Sequence, residues 1–440
     1  MKKKLTVQEY VVVASMLFGL FFGAGNLIFP VHMGQMAGSQ LVPATLGFLI
    51  TGVGLPLLSV AALGISKSEG LFDLSRKVSR PYAYFFTCLL YLTIGPFFAI
   101  PRCATTAFTV GIEQAVPQAA ERLRLWLLVF SAVFFAAALL FSLFPGKILT
   151  WVGKILNPFF LLFLGILIIV ALVKPSAAIS AVAPEDAYAS QAFSTGFLEG
   201  YNTMDVLAGL AFGIIVVQVI RELGVTDADA VASSTVKAGV FSSLLMALIY
   251  LAVTVVGAQS RGLFATSENG GIALAQIARH YLGSAGLVIL AATVTLACLK
   301  TSVGLITSCA ETFCGMFPKG PGYRAWAVLF TLISFALSNF GLSTIISYSV
   351  PVLMFLYPLA IALVLLALFG RFYRHDRAVY ISVIVCTLLA ALYDLICALP
   401  EGLHDALHAD AVQAFGLRVL PFAGAGLGWI CPLALGFVIG

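Results

Sequence analysis

Charge is what this sequence has least of. Only 10% of its 440 residues are Asp, Glu, Lys or Arg, against about 25% in soluble globular proteins. A soluble domain is excluded. No long hydrophilic stretch and no G-x-x-x-x-G-K-[ST] phosphate loop is present, which argues against ATP hydrolysis by this chain. H-E-x-x-H and G-x-S-x-G are missing too, which leaves a membrane enzyme without a motif. The eight cysteines form no CxxC pair and lie in or beside apolar segments, where they read as small buried packing residues rather than a disulfide framework. No ten-residue alternating segments of an outer-membrane barrel occur.

What the sequence has is apolar length: 61% of its residues are hydrophobic, and stretches such as Leu125 to Phe144 carry no charge. A bilayer core takes about 20 helical residues, and the apolar runs give about twelve candidate spans. The expected fold is therefore an all-α, multi-pass integral membrane protein. Lys and Arg concentrate in alternate loops, including Arg76, Lys77, Arg80, Arg371, Arg374 and Arg377, which puts both termini in the cytoplasm by the positive-inside rule. The net charge of +5 then reflects topology and gives no indication of nucleic acid. The N-terminal segment lacks a small-residue cleavage site and is expected to stay as a span. His404 and His408, beside Asp405 and Asp410, have the spacing of a zinc pair, but a solvated amphipathic loop helix is the favoured reading.

Two spans, the first and the sixth, carry glycine and polar residues at mid-depth: GLFFGAGN at Gly19 to Asn26 and GFLEGYNT at Gly196 to Thr203. Both hold a Gly-x-x-x-Gly frame, which on its own also serves close helix packing. Interrupted segments at corresponding places in two halves of a chain point to an inverted-repeat transporter and to its binding site. The implied organisation is a five-helix repeat over 1–175, a second over 176–370, and two accessory helices over 371–440.

The breaks carry the candidate chemistry. A helix interrupted near Gly23 to Gly25 exposes carbonyls on one side and amides on the other. Asn26 suits the cap of the second half-helix, and Pro30 deprives the Asn26 carbonyl of its helical donor. In the sixth span Asn202, Thr203 and Asp205 repeat the pattern. A mid-bilayer carboxylate costs about 2.5–3.5 kcal/mol on insertion scales and marks function by default; Asp205 is read as a cap for the inner half-helix or as a ligand for an ammonium or ion. Glu199 is either a gate residue or solvated. In the eighth span Thr301, Ser302 and the Cys298 carbonyl offer oxygens to a small hard cation, or the hydroxyls bond their own helix. Lys300 beside them snorkels, pairs with Asp205 or fills a cation site itself. In the third span Phe97 and Phe98 wall an apolar pocket or pack in the core, and Arg102 is expected to neutralise Glu113 or to lie at the outer mouth.

The stretches FGLFFGAGNLIFP, GPFFAIPR, EGYNTMD and LKTSVGLITSCAE resemble, in order and over nearly the whole chain, the signature segments of the branched-chain amino acid carriers, the leucine/isoleucine/valine cation symporters. That resemblance implies a LeuT-like five-plus-five fold with broken helices 1 and 6, and an importing symporter of leucine, isoleucine and valine in a bacterial plasma (inner) membrane. It requires no cofactor and no obligatory protein partner beyond membrane lipid. It implies substrate contacts at Gly23, Ala24, Gly25 and Asn26 for the carboxylate, and at Tyr201, Asn202, Thr203 and Asp205 for the ammonium and side chain. It places Na⁺ among Gly19, Phe22, Cys298, Thr301 and Ser302. Lys300 keeps H⁺ open as the alternative coupling ion, and a substrate-gated channel or non-transporting receptor is the rival of a different class.

Overall fold

The computed structural model describes residues 4–66, 68, 70–114, 120–143, 157–406 and 409–440. Among them the regular structure is helical and contains no strand. The first helix starts at a capping box, in which the Glu9 N–H donates to Thr6 Oγ1 and the Thr6 N–H to Glu9 Oε2. It runs as α1, Val7–Phe21, and is followed by α2, Gly25–Ala37. After a short turn come α3, Leu41–Leu49, and α4, Leu55–Ile65, joined by a π-helical turn at Ile50–Gly54. A six-residue α5, Leu71–Arg76, leads to α6, Arg80–Leu92, and α7, Ala99–Val110, joined by another π-helical turn at Thr93–Phe97. Then follow α8, Ala120–Leu143, and α9, Asn157–Val173.

The second half opens with α10, Tyr188–Glu199, and α11, Asp205–Glu222, and continues as α12, Ala228–Ser260. Next is α13, Gly270–Met316, which kinks at Gly283 (φ 65°); the eighth span, with Cys298, Thr301 and Ser302, is the arm that follows the kink. α14, Tyr323–Ser338, α15, Leu342–Phe369, and α16, Arg377–Cys397, follow. The last apolar run of the sequence, Leu417 to Gly440, is not one helix. The chain forms α17, Glu401–Ala406, and α18, Ala409–Val419, turns through left-handed Phe422 and Gly426, and resumes as α19, Ile430–Ile439. Ten residues of helix reach about 15 Å, half a bilayer core.

Among the described residues seven helical stretches are long and apolar enough to cross a membrane, and four shorter apolar helices accompany them. Their outer faces carry large exposed apolar side chains such as Val133, Leu248 and Leu332, as a lipid solvent requires. The loop at Arg377 meets the loop at Val78 through an Arg377 Nε–Val78 O bond of 3.1 Å. Arg261 meets Glu185 at 2.5 Å. Each contact joins loops that the charge pattern assigns to one side.

The helix contacts repeat across the halves. α2 packs on α12 and α10 on α3, while α7 packs on α13; exchanging the first span with the sixth, the second with the seventh and the third with the eighth maps this set onto itself. Glycine makes the first two contacts. A Cβ on Gly34 would strike the Thr254 carbonyl and one on Gly257 the Val31 carbonyl; on the other side, Gly47 faces the Phe193 carbonyl and Gly196 that of Ala44. The Gly-x-x-x-Gly frame of the sixth span therefore packs helices, since Gly200 likewise abuts Thr51.

Candidate functional site

Both predicted breaks exist. In the first span helical geometry stops at Phe22 (φ −73°, ψ 98°) and resumes with Ala24 already helical. The Gly23 N–H does not reach back to the Gly19 carbonyl but takes Asn26 Oδ1 at 2.8 Å, so that carbonyl loses its helical partner. Asn26 is not the N-cap; it lies one residue inside α2 and closes the break from within. Pro30 sits inside α2, where it offers the Asn26 carbonyl no N–H.

In the sixth span, α10 tightens into a 3₁₀ turn at Gly200–Thr203. The chain reverses at Met204 (φ 62°, ψ 14°), and α11 begins at Asp205. A left-handed non-glycine residue is uncommon and is held only where its surroundings enforce it. Asp205 does not cap α11 through its side chain. Its carboxylate crosses to the other break: Oδ2 accepts from Asn26 Nδ2 at 2.7 Å and from the Tyr250 hydroxyl at 3.0 Å. Asn26 Nδ2 also donates to the Tyr250 oxygen. Asn26 and Asp205 are each only 1% exposed, so this network is desolvated and each bond carries more weight than it would in water.

The breaks border a cavity of about 40 Å³, with room for a few waters and less than a leucine needs. Gly23, Ala24, Gly25, Asn26, Thr203, Asp205, Arg102 and Thr301 line it, and Leu20, Phe21, Ile94, Ala208, Phe212 and Leu305 form its apolar wall. Phe97 and Phe98 are absent from that lining, because the irregular turn at Gly95 presents Ile94 and Ala99 inward and leaves Phe97 38% exposed. Tyr201 is also absent. Its ring stacks on Tyr357, centroids 4.0 Å apart. Asn202 contributes its carbonyl to Arg102 Nη1 (2.8 Å), and its side-chain amide donates to Glu199 Oε2 at 3.2 Å. Glu199 is therefore half-buried and hydrogen-bonded rather than solvated.

Arg102 departs furthest from expectation. It is 3% exposed, lines the cavity and lies 5.0 Å from the centre of the Phe29 ring. Glu113 is elsewhere, in a second cavity of about 240 Å³ with Arg124 and Glu268, between the end of α7 and the starts of α8, α13 and α15.

The expected cation ligands come together in part. Thr301 faces the first break, 3.5 Å from where a Gly23 Cβ would be, while its hydroxyl donates to the Ala297 carbonyl at 3.1 Å. Ser302 Oγ is fully buried and has no hydrogen-bond partner among the described residues. α13 is helical from Cys298 through Ser302, so no turn frees the Cys298 carbonyl. Phe22 is buried, its ring stacked on Phe18 at 4.8 Å. Lys300 is half-buried on α13 and outside the cavity lining. His408 lies outside the described residues. His404 Nδ1 is 3.9 Å from Asp410 Oδ1, and the described residues hold no cluster of three metal-binding side chains.

Sequence reasoning missed Tyr250, Phe29 and the apolar wall. A tyrosine inside LLMALIYLAVTVV is a weak signal that its hydroxyl has a distant partner.

Comparison with known proteins follows the same lines. The family described as branched-chain amino acid transport protein matches residues 6–440. The chain is 53% identical over 439 residues to the branched-chain amino acid permease BrnQ of Lactobacillus delbrueckii subsp. lactis, covering 100% of this chain and 97% of that protein. It is 39% identical over 441 residues to BrnQ of Bacillus subtilis, covering 100% and 98%. These relatives are permeases, not enzymes. Among solved structures, inward-facing Mhp1 matches with a TM-score of 0.64 at 13% identity, covering 98% of this chain and 89% of that one. MhsT in complex with L-phenylalanine matches with a TM-score of 0.61 at 15% identity, covering 100% and 99%. At such identity the likeness is one of fold, and the fold is LeuT-like.

Proposed function

The chain belongs to the branched-chain amino acid transport protein family, and on that premise we propose that it is a secondary active symporter importing leucine, isoleucine and valine with Na⁺ by alternating access. The observation that carries this reading is the closure of two interrupted helices around one buried cavity by the Asn26–Asp205 bond. The apolar wall suits an aliphatic side chain at about 0.8 kcal/mol per buried CH₂. One acid and one guanidinium in the lining suit a neutral zwitterion, whereas a charged side chain brings an uncompensated charge into a desolvated site.

For the cation, the Gly19 and Phe22 carbonyls and the Thr301 and Ser302 hydroxyls are the proposed hard oxygen donors, and the Gly19 carbonyl freed at the break and the orphaned Ser302 Oγ are the observations favouring them. One Na⁺ gains about 2.3 kcal/mol per 100 mV and about 1.4 kcal/mol per tenfold gradient, enough to concentrate a zwitterion several hundred-fold. The chain resides, on this reading, in a bacterial inner membrane with both termini cytoplasmic. Uptake of labelled leucine into proteoliposomes tests it: uptake should accelerate with an inward Na⁺ gradient. Uptake driven by a pH gradient alone and altered by Lys300→Ala would assign H⁺ instead, and absence of counterflow exchange would mark a channel or receptor.

A further inference from the structure

The most unusual group in the molecule is the buried cation Arg102. A desolvated guanidinium is expected to have a carboxylate partner, yet the ion pairs among the described residues are Arg261–Glu185 and His404–Asp410. Arg102 has five N–H donors; among the described residues its one hydrogen bond runs from Nη1 to the Asn202 carbonyl at 2.8 Å. The Phe29 ring holds the guanidinium from one side, 5.0 Å from its centre. Nη2 lies 2.9 Å from where a Cβ on Gly25 would stand, at the start of the 13-residue α2, where the Gly25 and Asn26 amides precede the first bond to the Ala24 carbonyl, from the Leu27 N–H at 3.2 Å. Three things meet at this end of the cavity: a fixed positive charge, spare donors and the positive end of a helix dipole. A planar anion with two oxygens satisfies all three, and the guanidinium fork matches it bidentately.

We propose that Arg102 is the carboxylate anchor of the central cavity, receiving the α-carboxylate of the transported amino acid against the Gly25 end of α2. This rests on the transport function proposed above and goes beyond it. Asp205 then stands, among the described residues, as the one carboxylate of the cavity lining, left for the ammonium or for the cation. A side chain at Gly25 would crowd Nη2 and push the guanidinium from this position. The lining cysteine next along α7, Cys103, makes no comparable claim on an anion.

The test uses full-length protein in proteoliposomes, with labelled leucine binding and counterflow competed by L-leucinol, which keeps the ammonium and side chain but lacks the carboxylate. Wild type should prefer leucine to leucinol by about 100-fold. Arg102→Gln should weaken leucine by about 10- to 100-fold, the value of a lost bond between charged groups, while leaving leucinol within a few-fold of its wild-type affinity. Arg102→Lys should fall between. A purely structural arginine would weaken both compounds alike, so an unchanged leucine-to-leucinol ratio in Arg102→Gln overturns the assignment. Should that variant not fold, Arg102→Lys, which keeps the charge and loses the planar fork, carries the test: a leucine-to-leucinol ratio unchanged from wild type overturns the assignment, as does wild-type competition by leucinol equal to that by leucine. Failure of the transport reading looks different, since wild type would then bind leucine with the same preference but show no concentrative uptake.

Discussion

A carboxylate in the middle of a membrane span needs donors, and Asp205 finds them on two other spans, through Asn26 and Tyr250. The energetic ranking of the three side chains follows from how many partners each loss strands. Tyr250→Phe removes one donor and should lower leucine transport about 10-fold, with Asn26 still bonded to Asp205. Asn26→Ala strands the Gly23 amide and takes from Asp205 one of its two side-chain donors, leaving Tyr250; it should lower transport at least about 100-fold and lower the melting temperature of the detergent-solubilised protein more than Tyr250→Phe does. Initial-rate uptake and thermal unfolding of the two variants check the order, and equal effects would contradict it. Asn26 and Asp205 were legible because polar groups inside apolar runs have few reasons to be there. Arg102 was visible as a residue but misplaced, because its acceptor, the carbonyl of a residue 100 positions away, belongs to a backbone irregularity that composition does not encode.

At the scale of helices, both breaks were legible from glycine and polar residues at mid-depth, and the limits of most spans fell within a few residues of the apolar runs. The irregular turns at Ile50–Gly54 and Thr93–Phe97 were not, and the second turned Phe97 and Phe98 away from the cavity. A one-residue change in helical register rotates every later side chain by about 100°, and nothing in an all-apolar run marks where that happens. The glycine contacts between α2 and α12 and between α3 and α10 allow a direct test. Gly257→Val and Gly196→Val each drive a side chain into a facing carbonyl and should destabilise the fold by about 1–3 kcal/mol or more, read as lost monodisperse protein. Gly165 has no neighbour within 4 Å of such a side chain, and Gly165→Ala should stay within about 0.5 kcal/mol of wild type.

As a whole the molecule keeps its central cavity too small for a substrate, since about 40 Å³ does not take a leucine. Ligand entry therefore requires the helices to part, on the μs–ms scale of lids and hinges. Cys103 is a built-in reporter of that opening, being 3% exposed and part of the cavity wall. In a variant retaining Cys103 alone, maleimide should react far more slowly than with a variant retaining only half-exposed Cys314, and leucine should slow it further. Comparable rates would show a cavity open at rest. The exchange of contacts between halves extends this beyond the site, because it gives each broken helix a glycine-packed partner. The chain closes over the cavity at residues 179 positions apart, joined by a single amide. That amide holds Gly23 within its own break through Oδ1 and reaches Asp205 and Tyr250 on two other spans through Nδ2. The two ends of the side chain thus divide the labour: one keeps the break in shape while the spans part, and the other is the fastener that a ligand's own donor replaces on Asp205.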